Sequence, residues 1–126
     1  VLGGLTYQRS GYGYYEHLFQ LSPEYSEQDL AAIDKGSALS LGALLPALAH
    51  FDYSNVAQFG CPILLFEGRH DDTTPAEIAA KWLEKVHAPA KKLIWFEDSA
   101  HMAMVEEPGR FLVHLVEDAR PYAGPR

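Results

Sequence analysis

The sequence predicts an α/β chain built on parallel strands, and three observations carry that prediction. Cys61-Pro62-Ile63-Leu64-Leu65-Phe66 and Lys92-Leu93-Ile94-Trp95-Phe96 are short, continuous apolar runs. Runs of this length without polar alternation suit strands buried on both faces, as in a parallel sheet covered by helices. Each run ends in a polar turn, and each turn leads into a helical pattern, which implies βαβ connections. The first turn, Glu67-Gly68-Arg69-His70-Asp71-Asp72-Thr73-Thr74-Pro75, carries a carboxylate at Asp71. The second, Glu97-Asp98-Ser99-Ala100-His101, carries an imidazole. In parallel α/β sheets function gathers beyond the carboxyl ends of the strands. Asp71 and His101 are therefore expected side by side on that edge.

The elements follow in chain order. Residues 1–22 are rich in Gly, Tyr and Ser around Gly11-Tyr12-Gly13-Tyr14-Tyr15, and read as irregular with one helical turn near Glu16–Phe19. Ser26-Glu27-Gln28-Asp29 has the form of a helix start, with Ser26 as N-cap. Leu30 and Ile33 give that helix an apolar side, and Gly36 is a plausible stop. Ser40 opens a second helix to about His50, with Leu41, Leu44, Leu45 and Leu48 on one face. Residues 51–60 read as a connector, which places a boundary near residue 51. After the first strand, Thr74-Pro75-Ala76-Glu77 predicts a capping box, and Ile78, Trp82, Leu83 and Val86 form a stripe for the sheet. Ala88-Pro89-Ala90 leads into the second strand. A last helix begins near Glu107-Pro108, with Phe111, Leu112, Leu115 and Val116 inward, and stops before Pro121.

Composition narrows the classes of function. At 126 residues, 48% hydrophobic and 21% charged, the chain has the make-up of one soluble domain with a real core. A net charge of -7 argues against nucleic acid and against anionic membrane surfaces. The single cysteine excludes an internal disulfide and a zinc cluster, and fits a reducing compartment, so a cytoplasmic location is expected. No apolar stretch approaches the roughly 20 residues that span a bilayer, and no signal peptide is visible. No metal-ligand spacing and no cofactor is read from the chain.

A carboxylate that accepts from one imidazole nitrogen fixes the tautomer, and the other nitrogen can then act as a base toward a hydroxyl. Gly68-Arg69-His70-Asp71-Asp72-Thr73-Thr74-Pro75 resembles the acid turn of α/β-hydrolases. Trp95-Phe96-Glu97-Asp98-Ser99-Ala100-His101, followed by Glu106-Glu107-Pro108-Gly109-Arg110-Phe111, is similar to their histidine turn and last helix. Ala88-Pro89-Ala90-Lys91-Lys92-Leu93, and upstream Pro23-Glu24-Tyr25-Ser26, resemble the proline iminopeptidase-like branch. The resemblance covers roughly residues 12–122 and is densest after residue 60. It implies that Asp71 is the triad acid and His101 the triad base. It also implies that residues 1–50 are the end of a helical cap and residues 51–126 the C-terminal βαβα part of the hydrolase core. Where many relatives have Pro shortly after the histidine, Met102-Ala103-Met104 stands here.

The family's nucleophile needs Gly-x-Ser-x-Gly on a strand-to-helix elbow. Only Ala38-Leu39-Ser40-Leu41-Gly42 comes near it, without the first Gly and without a preceding strand. The nucleophile is therefore expected outside this sequence, and the chain, which does not begin with Met, is expected to be the C-terminal part of a serine hydrolase, inactive alone. Its partners would be a small-molecule or short-peptide substrate and either the missing N-terminal part or another copy of the chain. The rival class is a non-catalytic binding or interaction module derived from a hydrolase. Without the histidine turn, Asp71 would read as an ordinary turn residue. Asp72 reads as a solvated neighbour, His70 as a turn or surface residue, and His114 as lying near the polar side of its helix. Cys61 reads as a small buried residue. Glu16, Glu24, Glu27 and Asp29 read as a solvated face, and Tyr12, Tyr14 and Tyr15 as packing.

Overall fold

The structure is a computed structural model and describes residues 4–9 and 13–124, without the side chains of Tyr15 and Glu16. The readings that fall on Tyr12 and on the Tyr15 and Glu16 side chains lie outside these residues. The chain divides into two compact units, one drawn from Gly11–Asn55 and the other from Val1–Ser10 and Val56–Arg126.

The first unit holds α1 (Gly13–Gln20) and α2 (Glu27–Leu48). Ser26 caps α2 through a capping box. Its hydroxyl accepts from the Asp29 amide at 3.2 Å, and Asp29 Oδ2 accepts from the Ser26 amide at 2.8 Å. Those bonds hold the Asp29 carboxyl below its usual range, first through the Ser26 side chain. The two helices expected from Gly36 and Ser40 are one continuous helix of 22 residues. A glycine stop needs left-handed backbone, and among the described residues only Gly4 and Gln8 have it. Gly36 therefore stays helical, at a cost of about 1 kcal/mol relative to alanine. Ser40 lies inside the helix and on no elbow. Pro46 lacks an amide to continue the ladder, and α2 ends two residues later.

The second unit is α/β. Strand β1 (Ile63–Gly68) pairs in parallel with β2 (Lys91–Phe96), from Ile63 opposite Lys91 to Gly68 opposite Phe96. Helix α3 (Ala76–Lys85) makes the crossover. Lys91 Nζ closes its end, donating to the carbonyls of Leu83, Glu84 and Val86, each at 2.9 Å. Beyond β2 come α4 (Ala103–Glu106) and α5 (Pro108–His114), with Pro108 in the first turn where its missing amide costs nothing. A π-helical turn, Leu115–Ala119, and a 3-10 turn, Arg120–Tyr122, follow, so Pro121 lies within the last turn. The core is Ile94, Phe96 and Ala103, with Leu64, Phe66 and Phe111 packed on it. The rings of Phe66, Phe96 and Phe111 lie 5.1–6.1 Å apart, two of the three pairs edge to face.

Three expectations about packing are corrected. In α3 the buried residues are Ala76 and Leu83, seven apart, so Ile78 falls on the outer side and is 67% exposed. In α5 the inward residues are Phe111 and His114, three apart, while Leu112, Leu115 and Val116 are exposed. The His114 ring faces Phe66 and Phe96, and its Nδ1 pairs with Asp118 Oδ2 at 2.8 Å. Cys61 is exposed because β1 begins two residues later. Among the described residues no helix is long and apolar enough to cross a membrane.

Candidate active site

Two turns leave the carboxyl ends of the paired strands, and a glycine lets them meet. A Cβ on Gly68 would lie 1.9 Å from the Ala100 carbonyl oxygen, so no larger residue fits at the end of β1. Backbone bonds stitch the turns together. The His70 amide donates to the Ser99 carbonyl at 3.0 Å, and the Arg69 amide to the Phe96 carbonyl at 2.9 Å. On the outer side Arg69 forks onto Glu97 with bonds of 2.7 and 2.8 Å and lies over the Trp95 ring at 3.7 Å.

The stitching brings Asp71 and His101 together. His101 Nδ1 lies 2.9 Å from Asp71 Oδ2, within hydrogen-bond range. The Asp71 side chain is 5% exposed and that of His101 36%. Asp71 is held from its other oxygen too, since Oδ1 accepts from the amides of Thr73 and Thr74, both at 2.9 Å. The Thr74 hydroxyl donates to Asp71 Oδ2 at 3.0 Å and sits 3.2 Å from His101 Nδ1. Four partners thus fix the carboxylate, and its orientation fixes the imidazole. With Nδ1 committed to Asp71, Nε2 is the nitrogen left for proton transfer.

Thr74 was expected to cap α3. Instead its hydroxyl serves the pair, and the N-cap residue Pro75 has no side-chain cap bond, so the box with Glu77 does not form. The competing interaction is the Asp71 carboxylate, which takes the free amides of the turn itself. Asp72 is exposed, as is His70, whose ring stacks on Tyr7 at 3.9 Å and 9°.

Residues with no role assigned from the sequence complete the surroundings. The Gly4–Arg9 segment lies against both turns. Gly4 has φ +111°, and a Cβ there would come 2.6 Å from the Asp72 amide nitrogen. The Gly4 carbonyl accepts from the His101 amide at 3.0 Å. Thr6 to Arg9 with His70 and Asp72 line a cleft of about 380 Å³. Glu106 and Glu107 hold the histidine turn from below. Glu106 accepts from the Ala100 amide at 2.8 Å, and Glu107 from the Ser99 hydroxyl at 2.7 Å. Glu67, opposite Trp95 in the register, has its carboxyl pushed above the ordinary range, first by burial and then by the Asp71 charge.

No family model matches the chain, and no solved structure does. It is 32% identical over 106 residues to the "Probable aminopeptidase YbaC" of Bacillus subtilis (strain 168), covering 82% of this chain and 33% of that protein. It is 30% identical over 112 residues to a carboxylesterase of the same organism, covering 89% of this chain and 43% of that protein. The chain thus spans 33% and 43% of the lengths of these two curated relatives. Both names are those of hydrolases, and a hydrolase-type relationship is what the two similarities carry.

Proposed function

We propose that this chain is the C-terminal part of a serine hydrolase of the α/β-hydrolase fold, similar to the proline iminopeptidase-like branch, with Asp71 as triad acid and His101 as triad base. The observation that carries the reading is the 2.9 Å contact between Asp71 Oδ2 and His101 Nδ1 at the ends of neighbouring parallel strands. The similarity to an aminopeptidase and a carboxylesterase supports the reaction class.

In this reading the nucleophile is a serine outside this sequence. Its hydroxyl loses a proton to His101 Nε2 as its oxygen attacks the carbonyl of an ester, an amide or an N-terminal peptide bond. Asp71 holds the imidazole in the Nδ1-protonated tautomer and stabilises the imidazolium. The imidazolium then protonates the leaving alcohol or amine, and the acyl-serine remains. Water, deprotonated by the same Nε2, attacks the acyl carbon; the acyl–serine bond breaks, the imidazolium returns its proton to the serine oxygen, and the acid leaves. The two-stranded sheet extends along the free edge of β1 into the rest of the hydrolase, which also supplies the oxyanion-hole amides.

The test is hydrolysis of an acyl ester and of an aminoacyl anilide by the whole protein. Turnover of either, abolished in His101→Ala, is the expected result. No turnover of either class, with the protein folded, would favour the binding-module reading.

A further inference from the structure

We infer that Glu106 is a positioning residue, which locks the Gly4–Arg9 segment onto the histidine turn and so sets where the His101 imidazole meets Asp71. The inference rests on the acid–base reading of that pair. Glu106 makes no bond to the His101 side chain and lies one turn of helix away, at the end of α4. Its Oε2 accepts at 2.8 Å from the amide of Ala100, the residue just before His101. Its Oε1 accepts from the Tyr7 amide at 2.6 Å, across 99 residues of chain. The next amide of the turn, that of His101, donates to the Gly4 carbonyl at 3.0 Å.

These bonds close a ring. It runs from Glu106 through Ala100 and His101 to Gly4, along the segment to Tyr7, and back to Glu106. Two consecutive amides of the histidine turn thus hang on one carboxylate and one carbonyl, and the carboxylate also holds the segment that supplies the carbonyl. Hydrogen bonds to an ionised acceptor are roughly twice as strong as neutral ones. The same segment reaches the acid turn, through the Tyr7 ring stacked on His70 and through Gly4 packed on Asp72. One segment therefore touches both turns that carry the pair, and Glu106 ties it down from the histidine side. The Nδ1 contact is directional, so a shift of a few tenths of an ångström in the Ala100–His101 peptide reaches it directly.

Glu106→Gln is nearly isosteric but has a single acceptor oxygen, so one of the two amides must face an NH2 group. The readouts on the whole protein are the low-field proton resonance of His101 Nδ1, assigned by its loss in His101→Ala, and the exchange rates of the Ala100 and His101 amides. In Glu106→Gln the resonance is expected to shift or broaden, with exchange at the two amides faster by on the order of ten-fold or more. In kinetics kcat falls on the order of ten-fold with KM little changed. Lys91→Met, which removes the cap of α3 far from the turns, controls for lost stability and should leave the resonance in place. Should Glu106→Gln not fold, Glu106→Asp keeps the charge but is one methylene too short to reach both amides, and is expected to shift the resonance less. An Nδ1 resonance and amide exchange unchanged in the folded variant would overturn the inference while leaving the pair intact. Absence of that resonance in the unaltered protein would overturn the pair, and the inference with it.

Discussion

The unit that carries β1 and β2 encloses Phe96, Val86 and Ser99 almost completely, whereas α2, 22 residues long, buries none of its residues. Leu39, Leu41, Leu44, Leu45 and Leu48 are all more than half exposed, yet Ile94 is 4% and Phe96 0% exposed. Both regions are rich in apolar residues, so composition alone does not separate them. Partners do, because two paired strands and two helices share one small core, while α2 has its cap and its ladder and little else. The Asp71–His101 pair falls on the packed side. A carboxylate with four partners and a turn held by two glutamates need a backbone that the surrounding structure over-determines, and among the described residues the sheet unit offers one.

The largest effect that can break this contrast is catalytic. In the whole protein, Asp71→Asn is expected to lower turnover by about 10⁴, the scale of the corresponding change in serine proteases, with the fold retained. Asp72→Asn and Ser40→Ala are expected to change it little. Comparable losses at Asp71 and Asp72 would mean that the carboxylates act as a pair. A large loss at Ser40 would move the chemistry to α2.

Next comes stability, read by thermal unfolding. Phe96→Ala is expected to cost about 3–5 kcal/mol, through lost burial and the cavity left between Phe66 and Phe111. Leu45→Ala on α2 is expected to stay within about 1 kcal/mol, because Leu45 is 55% exposed. A loss at Leu45 as large as that at Phe96 would show that another surface covers α2 in the whole protein.

The smallest effect is a pH dependence at Glu67. Its folded carboxyl titrates above the ordinary value of 4.5, by burial first and the Asp71 charge second. A raised carboxyl pKa means that the folded state holds a proton the unfolded chain releases. The stability this contributes is complete below about 4.5 and is lost as pH rises through the folded value. Glu67→Gln removes that loss. Its unfolding temperature should match the parent's in acid and exceed it at neutral pH. A variant less stable than the parent at neutral pH would mean that the ionised carboxylate has a favourable role beside the pair.

Local pattern was enough for the existence and parallel pairing of the two strands, for Pro108 at the start of α5, and for the meeting of Asp71 with His101, because strand ends in a parallel pair are neighbours by geometry. It set β1 two residues early, since Glu67 and Gly68 pair with β2 rather than open the turn, and it overstated burial, since β1 is half-buried up to Gly68. It failed where a local signal had a distant competitor. Thr74 looked like a cap, but Asp71 and His101 take its hydroxyl. His114 looked solvent-facing, but the Phe66 and Phe96 rings and Asp118 claim it. Gly36 looked like a stop, but no left-handed turn forms there. Ile78 lies 200° around the helix from Ala76, and counting that period would have placed it outside. The role of Gly4–Arg9 had no local signal at all, since its bond to Glu106 spans 99 residues. Two acidic residues five and six positions past the histidine, Glu106 and Glu107, were the nearest hint.

The central claim is that His101, oriented by Asp71, activates a serine supplied by the rest of the protein. Labelling of the whole protein with a serine-directed fluorophosphonate tests it most directly. The account predicts rapid labelling at one serine outside these 126 residues, lost in His101→Ala and strongly slowed in Asp71→Asn. Labelling that proceeds unchanged in folded His101→Ala, or that falls on Ser40, would contradict it.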